Sequence, residues 1–318
     1  MEKKATQTTL PGIPELPLEE VEGLNLQGRI DRAVALLRMN EPLDGYYLAF
    51  SGGKDSSTIL KPAQIAGVRF EIHHNFTTID PPEIVRLVKA TPGVIIHMPE
   101  KNMFTRIAEH NGGPPTRHRR WCCEEYKEHG GRDRTKVIGV RALESVKRAA
   151  RWKEVTASWE GKQVICPIVY WSDAHVWEFI RALGVPYCSL YDEGWSRLGC
   201  IGCPLSNKTK QKMEFERWPR YAALWKKAVI KNWERFKDLP NKDGNPRFHA
   251  KFKTGEEFWM WWLCERRADY RREGCQSGFL WAIEDEDIEI PVEDMDVKYP
   301  DRIPGEEWTD YFERKGVK

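Results

Sequence analysis

The chain carries no charge excess of either sign. Its 50 lysines and arginines stand against 48 aspartates and glutamates, a net +2 over 318 residues. That excludes a globally polybasic coat, so any grip on a polyanion has to be local. No apolar run approaches the roughly 20 residues that span a bilayer, and no membrane partner is expected. Met1-Glu2-Lys3-Lys4 leads into no apolar stretch, so no secretory signal is read and the cytoplasm is the expected location. No internal repeat is visible. A Walker A loop is missing too, because that pattern needs four residues between its first glycine and the Gly-Lys pair.

What is present is enough for a sizeable core. Hydrophobic residues make up 41% of the chain, which suits one large domain or two unequal ones. There are 8 cysteines: Cys122, Cys123, Cys166, Cys188, Cys200, Cys203, Cys264 and Cys275. In a chain of this size and expected location they read as metal ligands or reactive thiols before disulfides. The 14 tryptophans read chiefly as core and contact surface.

The chain is organised around Tyr46-Tyr47-Leu48-Ala49-Phe50-Ser51-Gly52-Gly53-Lys54-Asp55-Ser56-Ser57. An apolar, aromatic run reads as a buried strand, and a helix pattern follows through Ile65. Strand, glycine turn and helix start together hold phosphate. Glycine lets the backbone approach a ligand closely. The helix start offers unpaired N–H groups and a positive dipole end. Ser51, Ser56 and Ser57 add hydroxyls, and Lys54 adds a full charge.

The first 22 residues, with Pro11, Pro14 and Pro17, read as a loosely ordered leader. Residues 24–39 read as a helix with Ile30, Ala33, Val34 and Leu37 on one face. After the glycine loop, strands are expected at 68–74, 94–97, 137–140 and 164–168. Helices are expected from Pro82 to about Lys89, at 104–110, and from a Ser172 cap through Leu183. This alternation predicts an α/β fold with a mostly parallel, doubly wound sheet over residues 23–210. Ligands in such sheets sit beyond the carboxyl ends of the strands, where Ser51, Asp80 and Arg141 fall. Residues 211–318 read as a helical, Trp-rich region with an acidic tail. Its helices are expected at 211–236 and 256–272.

Two cysteine motifs stand out. Cys122-Cys123 follows Arg119-Arg120-Trp121, and Cys200-Ile201-Gly202-Cys203-Pro204 has the form of a metal knuckle. All-sulfur ligation leaves zinc or an iron–sulfur cluster as candidates. Arg117-His118-Arg119-Arg120 reads as a solvated loop or as a polyanion grip. Gly139-Val140-Arg141 delivers an arginine at a strand end. Arg141 and Arg148 are candidates for phosphate or sulfate oxygens, against a plain Glu144–Arg148 pair at i,i+4. Asp55 and Asp80 are candidates for Mg²⁺, or else for helix-start carboxylates. His73 and His74 are read as one packing and one loop-facing side chain.

Ser51-Gly52-Gly53-Lys54-Asp55-Ser56 resembles the Ser-Gly-Gly-x-Asp-Ser loop of the ATP pyrophosphatase superfamily. The order of that loop, Cys-Cys, Gly-Val-Arg and Cys-x-x-Cys resembles the phosphoadenosine phosphosulfate reductase family. The stretches Thr77 to Glu83, Gly139 to Ser145 and Tyr187 to Pro204 add to it, and the likeness runs from about Tyr46 to Leu205. It is nearest to reductase-like proteins of mobile elements and to the sulfurtransferase subunit of DNA phosphorothioation systems. The resemblance implies a [4Fe–4S] cluster on Cys122, Cys123, Cys200 and Cys203, with zinc as the alternative. It also implies ATP with Mg²⁺ at Ser51, Gly52, Gly53, Lys54, Asp55, Ser56, Ser57, Asp80, Arg141 and Arg148, with Lys54, Asp55 and Arg141 taking catalytic roles. Reductases of this kind carry a terminal Glu-Cys-Gly-Leu-His nucleophile, for which this chain offers only Glu273-Gly274-Cys275. The expected activity is therefore ATP cleavage to AMP and pyrophosphate in support of sulfur transfer, with sulfonucleotide reduction and a zinc-stapled binding module as alternatives. Expected partners are an adenine nucleotide, a sulfur donor such as a cysteine desulfurase or thioredoxin, and possibly a nucleic-acid acceptor.

Overall fold

A computed structural model describes residues 23–158 and 161–264. The leader, the acidic tail and Cys275 lie outside these residues. The chain divides into two compact units, one of residues 1–107 and 115–214, the other of 108–114 and 215–318.

In the first unit, helix α1 (Leu26–Met39) starts where the Asn25 side chain accepts the Gly28 N–H at 2.8 Å. The expected stripe of Ile30, Ala33, Val34 and Leu37 is buried. Strand β1 (Tyr46–Ala49) leads through the glycine loop into α2 (Lys54–Ala66). Then follow β2 (Phe70–Asn75), α3 (Pro82–Ala90), β3 (Val94–His97) and α4 (Met103–Glu109). Next come α5 (Trp121–Tyr126), β4 (Lys136–Val137), α6 (Val146–Arg151), β5 (Val155–Ala157), β6 (Gln163–Ile165) and α7 (Asp173–Leu183).

The strands form one sheet in the order β3-β2-β1-β4-β6-β5. All neighbours run parallel except the β5/β6 pair. Period-two alternation puts Tyr46, Leu48, Ile72 and Val137 on one face, where α1 closes over them and the Tyr46 hydroxyl donates to the Leu37 carbonyl at 2.7 Å. The chain steps outward from β1 to β2 to β3, then returns to the other side of β1 for β4. The β1 and β4 ends therefore form a topological switch point, and the crevice there is where such sheets hold ligands.

Two local expectations needed correction. The antiparallel edge strand β5 was not foreseen, because three residues carry too little pattern. The short helix α5, which carries Cys122-Cys123, was not foreseen either.

In the second unit the long helix expected over 211–236 is broken at Trp218-Pro219. Helix α8 (Lys208–Arg217) ends there, and α9 (Pro219–Phe236) starts with the proline in its first turn, where no N–H is needed. The unit boundary at Glu214 falls within α8. Helix α10 spans Gly255–Leu263, and the rest of the helix expected to Arg272 lies outside the described residues. Trp225 stacks on Trp262 and Trp259 on Trp262, so these tryptophans are packing. Among the described residues no helix is long and apolar enough to cross a membrane.

Candidate active site

The glycine loop sits at the β1 end of the switch point. Gly52 has φ +75°, and a Cβ there would lie 2.7 Å from Ile84 of α3, so both conformation and space call for glycine. The Ser56 hydroxyl donates to the Gly53 carbonyl at 2.8 Å and accepts the Ser51 N–H at 3.1 Å, which closes the turn on itself. The turn delivers the start of α2, whose first N–H groups have no partner within the helix. One of these, on Lys54, is accepted by the Tyr191 hydroxyl at 3.0 Å. The buried Ser57 hydroxyl has no partner among the described residues.

The β4 end supplies the other wall. Gly139 presses its backbone on α2, and a Cβ there would stand 2.5 Å from the Asp55 carbonyl oxygen. Two residues on, Arg141 is buried and donates to Asp55 at 2.8 Å and to Asp173 at 2.9 Å. Asp173 also takes the Lys54 ammonium at 3.0 Å, and Lys54 lies 3.5 Å from Asp55. Two cations and two carboxylates thus form a closed network directly under the loop. Partial burial pushes Asp173 up, but the Lys54 and Arg141 charges outweigh it and hold Asp173 below the usual carboxylate range. Burial pushes the Tyr191 hydroxyl up, so it stays protonated and can donate onward. Asp173 and Tyr191 were not singled out from the sequence. Asp173 was read only as a first-turn residue of α7.

Arg148 lies outside this network and pairs with Glu144 one turn before it. Glu144 also has Arg141 and Arg197 at 3.9 Å each.

The thiols gather beside the loop that follows β2. Thr77 receives the Cys200 thiol at 3.5 Å, the Ile201 N–H donates to the Ile79 carbonyl at 2.8 Å, and Asp80 accepts the Thr77 N–H at 2.8 Å. The Cys200–Cys203 turn is fixed by buried Glu214 and Gln211, which bind the Gly202 N–H and carbonyl. On α5, Cys122 and Cys123 share a hydrogen bond, and Cys122 feels the charges of both Cys200 and Cys203. The Cys122 bond, followed by Arg120, lowers the Cys123 thiol, while burial raises that of Cys200. Lys127, missed in the sequence, is held charged by Cys200 first and by Asp80 as well. It follows Cys122-Cys123 by one turn, which is the signal that would have found it.

Several charged candidates are therefore engaged elsewhere than expected. Asp80 belongs to the thiol neighbourhood and not to the Lys54–Asp55 network. Within the basic run, Arg117 donates to the carbonyls of Leu205 and Ser206, and Arg120 serves Cys123. Both imidazoles of His73-His74 are buried: His73 stacks on Tyr47 and bonds His97 at 2.8 Å, and His74 bonds the Phe50 carbonyl. Cys166 and Cys188 are buried, and Cys264 is half-buried.

A metal or cluster has to be judged on this donor set. Cys122 lies within electrostatic reach of Cys200 and Cys203, and Lys127 within that of Cys200. Among the described residues no trio of His, Cys, Asp or Glu is arranged to hold a single ion.

The phosphoadenosine phosphosulfate reductase domain family matches residues 45–206. The chain belongs to this family, about half of it lying within the family's domain. A protein of Methanocaldococcus jannaschii is 30% identical over 198 residues, 57% of this chain and 40% of that protein. One from Escherichia phage 186 is 31% identical over 164 residues, 47% of this chain and 48% of its own. An adenosine 5'-phosphosulfate reductase of Oceanobacillus iheyensis is 26% identical over 164 residues, 50% of this chain and 68% of that enzyme. The chain thus spans less than half the length of the first two relatives. Among solved structures, a phosphoadenylyl-sulfate reductase from Candida auris aligns over 60% of this chain and 99% of its own, at 18% identity and a TM-score of 0.45.

Proposed function

We propose that this chain binds ATP in the Ser51–Ser57 loop and cleaves it to AMP and pyrophosphate, activating an acceptor for sulfur transfer. The observation that carries this reading is the complete loop set on the Lys54–Asp55–Arg141–Asp173 network. An acceptor oxygen attacks the α-phosphorus, the bond to the bridging oxygen breaks, and pyrophosphate leaves with that electron pair. AMP is now on the acceptor; the outer sulfur of a persulfide on the sulfur donor attacks the same acceptor atom, AMP leaves with the oxygen, and a second thiol of the donor cleaves the resulting S–S bond to leave the sulfur on the acceptor. Developing charge on pyrophosphate is met by Lys54 and by the α2 N–H groups; Asp55 would be the residue to hold Mg²⁺, which would supply further positive charge there. Asp173 and Arg141 aim Lys54 and Asp55, so these groups need not reorganise during the step.

Cys122, Cys123, Cys200 and Cys203 would hold the [4Fe–4S] cluster. When bound, such a cluster supplies a soft, electron-rich surface on which a sulfur atom can be held. Lys127 offsets the thiolate charge and offers an ammonium to an incoming anion.

Sulfonucleotide reduction is the second reading. It is favoured by the activity of the Oceanobacillus relative and by the cation beside the thiols. One experiment separates the two. The anaerobically isolated chain is given ATP with Mg²⁺ and, separately, phosphoadenosine phosphosulfate with thioredoxin. Equal amounts of AMP and pyrophosphate from ATP support the first reading. Sulfite from the second mixture, with no AMP from the first, replaces it with reduction.

A further inference from the structure

The segments that carry the thiols are rich in cations and empty of acids. Residues 116–123 and 195–213 contain Cys122, Cys123, Cys200 and Cys203. Together with residues 145–153 they hold eleven lysines and arginines and no aspartate or glutamate. All three stretches belong to the first unit. In a chain whose net charge is only +2, this is a local concentration of positive charge.

Contacts join the three stretches into one band. Arg117 donates to the Leu205 and Ser206 carbonyls at 3.4 and 3.2 Å. The Lys210 ammonium donates to the Arg197 carbonyl at 2.7 Å. The Arg197 guanidinium lies 3.9 Å from Glu144, which adjoins the third stretch and also takes Arg148. The band therefore runs from the Arg117 loop, past Cys200 and Cys203, to the segment that follows Arg141. Acids that touch it are answered within it: Glu128 by Arg120, Glu144 by Arg148 and Glu214 by Lys210. Arg119, Lys147 and Lys212 place an exposed charge on each of the three stretches.

Apolar side chains are set among these cations. Helix α6 buries none of its residues, and Val146 on it is 87% exposed. Leu143, Leu205 and Met213 are exposed as well. A helix this short gains little from forming alone, so a face with nothing packed on it points to a partner. A polyanion answers the charges but leaves the apolar groups in water. A single nucleic-acid strand answers both, since its phosphates meet the cations while its unpaired bases lie on the apolar groups. A duplex keeps its bases paired and stacked, and meets only the charges.

We propose that this band is the track of a single nucleic-acid strand, and that this strand is the acceptor in the proposed sulfur transfer. The acceptor role rests on that reading of the function; the track does not.

The test follows a fluorescein-labelled single-stranded oligodeoxynucleotide of mixed sequence by anisotropy over a salt series, on the full chain purified without oxygen. Arg119→Ala, Lys147→Ala and Lys212→Ala each remove one charge from the band, and Lys242→Ala removes an exposed charge from the second unit. Each band variant is expected to lower the slope of log K against log salt by about 0.7 and to weaken binding about fivefold near 0.1 M salt, whatever the sequence. Lys242→Ala is expected to match the parent. Band variants that bind like the parent, or an equal loss in Lys242→Ala, overturn the track. So does a duplex of the same sequence that binds as tightly, or displacement of the strand by poly-glutamate at matched charge. AMP and pyrophosphate formation from ATP is measured on the same preparation. Turnover without strand binding overturns this inference and leaves the loop reading intact. Strand binding without turnover leaves the track standing and removes the loop reading instead.

Discussion

The Tyr191 hydroxyl accepts the backbone N–H of Lys54 at 3.0 Å, joining the segment before Cys200 to the first turn of α2. Lys54 also places its ammonium 5.6 Å from the centre of the Tyr191 ring. The phenol is a neutral hydroxyl at any working pH, since burial pushes its ionisation up. Tyr191→Phe keeps the ring and deletes the acceptor. The expected cost is about 1 kcal/mol, a fall of about 2–4 °C in melting temperature, with ATP affinity reduced. Calorimetry and dialysis on the same preparation check both.

Gly139→Ala is expected to damage the site more than its size suggests. The added methyl meets the Asp55 carbonyl oxygen at 2.5 Å and its carbon at 2.6 Å, and both are backbone atoms that cannot swing aside. The first turn of α2 has to shift, carrying Lys54 and Asp55 with it. Destabilisation of about 1–3 kcal/mol is expected, with nucleotide binding lost before the fold is. Far-ultraviolet circular dichroism and dialysis separate the two effects.

Asp173→Asn tests the network without a packing change. Asp173 is more than half exposed, so stability should barely move. Lys54 and Arg141 both lose one of the two carboxylates they share, and Lys54 keeps only its longer 3.5 Å contact with Asp55. AMP formation is expected to fall at least tenfold with melting unchanged. A large melting loss with turnover preserved would assign Asp173 to structure alone.

Acid should unfold the first unit early. Burial, then the neighbouring His97 charge, lowers His73 from 6.5 to about 4. The folded state therefore resists a proton that the unfolded chain accepts below pH 6.5. Stability is full above that value and is lost as pH falls towards 4, by up to roughly 3 kcal/mol. Glu71, held low by Arg134, adds to the loss only below its ordinary value of 4.5. His73→Phe keeps a ring against Tyr47 and should flatten denaturation midpoints between pH 6.5 and 4.

The sheet and the loop were legible because long-range periodicity and a six-residue motif both survive in one dimension. Ser172 could be read as a cap from position alone, and it accepts the His175 N–H at 3.1 Å. The network was only half legible. Lys54 and Asp55 sit in the motif, but Asp173 joins them from more than a hundred residues away, and nothing local marks it as more than a helix-start carboxylate. Tyr191 was hidden in the same way, because an acceptor for a backbone N–H leaves no sequence pattern. Arg148 showed the opposite problem: its spacing from Glu144 suited an ordinary ion pair as well as a ligand, and the pair is what forms. The break at Trp218 was missed because apolar spacing continues through Pro219 while the helix does not.

The measurement that bears most directly on the account is AMP release from ATP by the parent chain and by Lys54→Ala, each purified without oxygen and supplied with Mg²⁺. The parent is expected to form AMP and pyrophosphate in equal amounts, and the variant to lose at least two orders of magnitude, the scale of removing one preorganised charge from a phosphoryl-transfer site. Equal AMP release by the two proteins would contradict the role given to the loop.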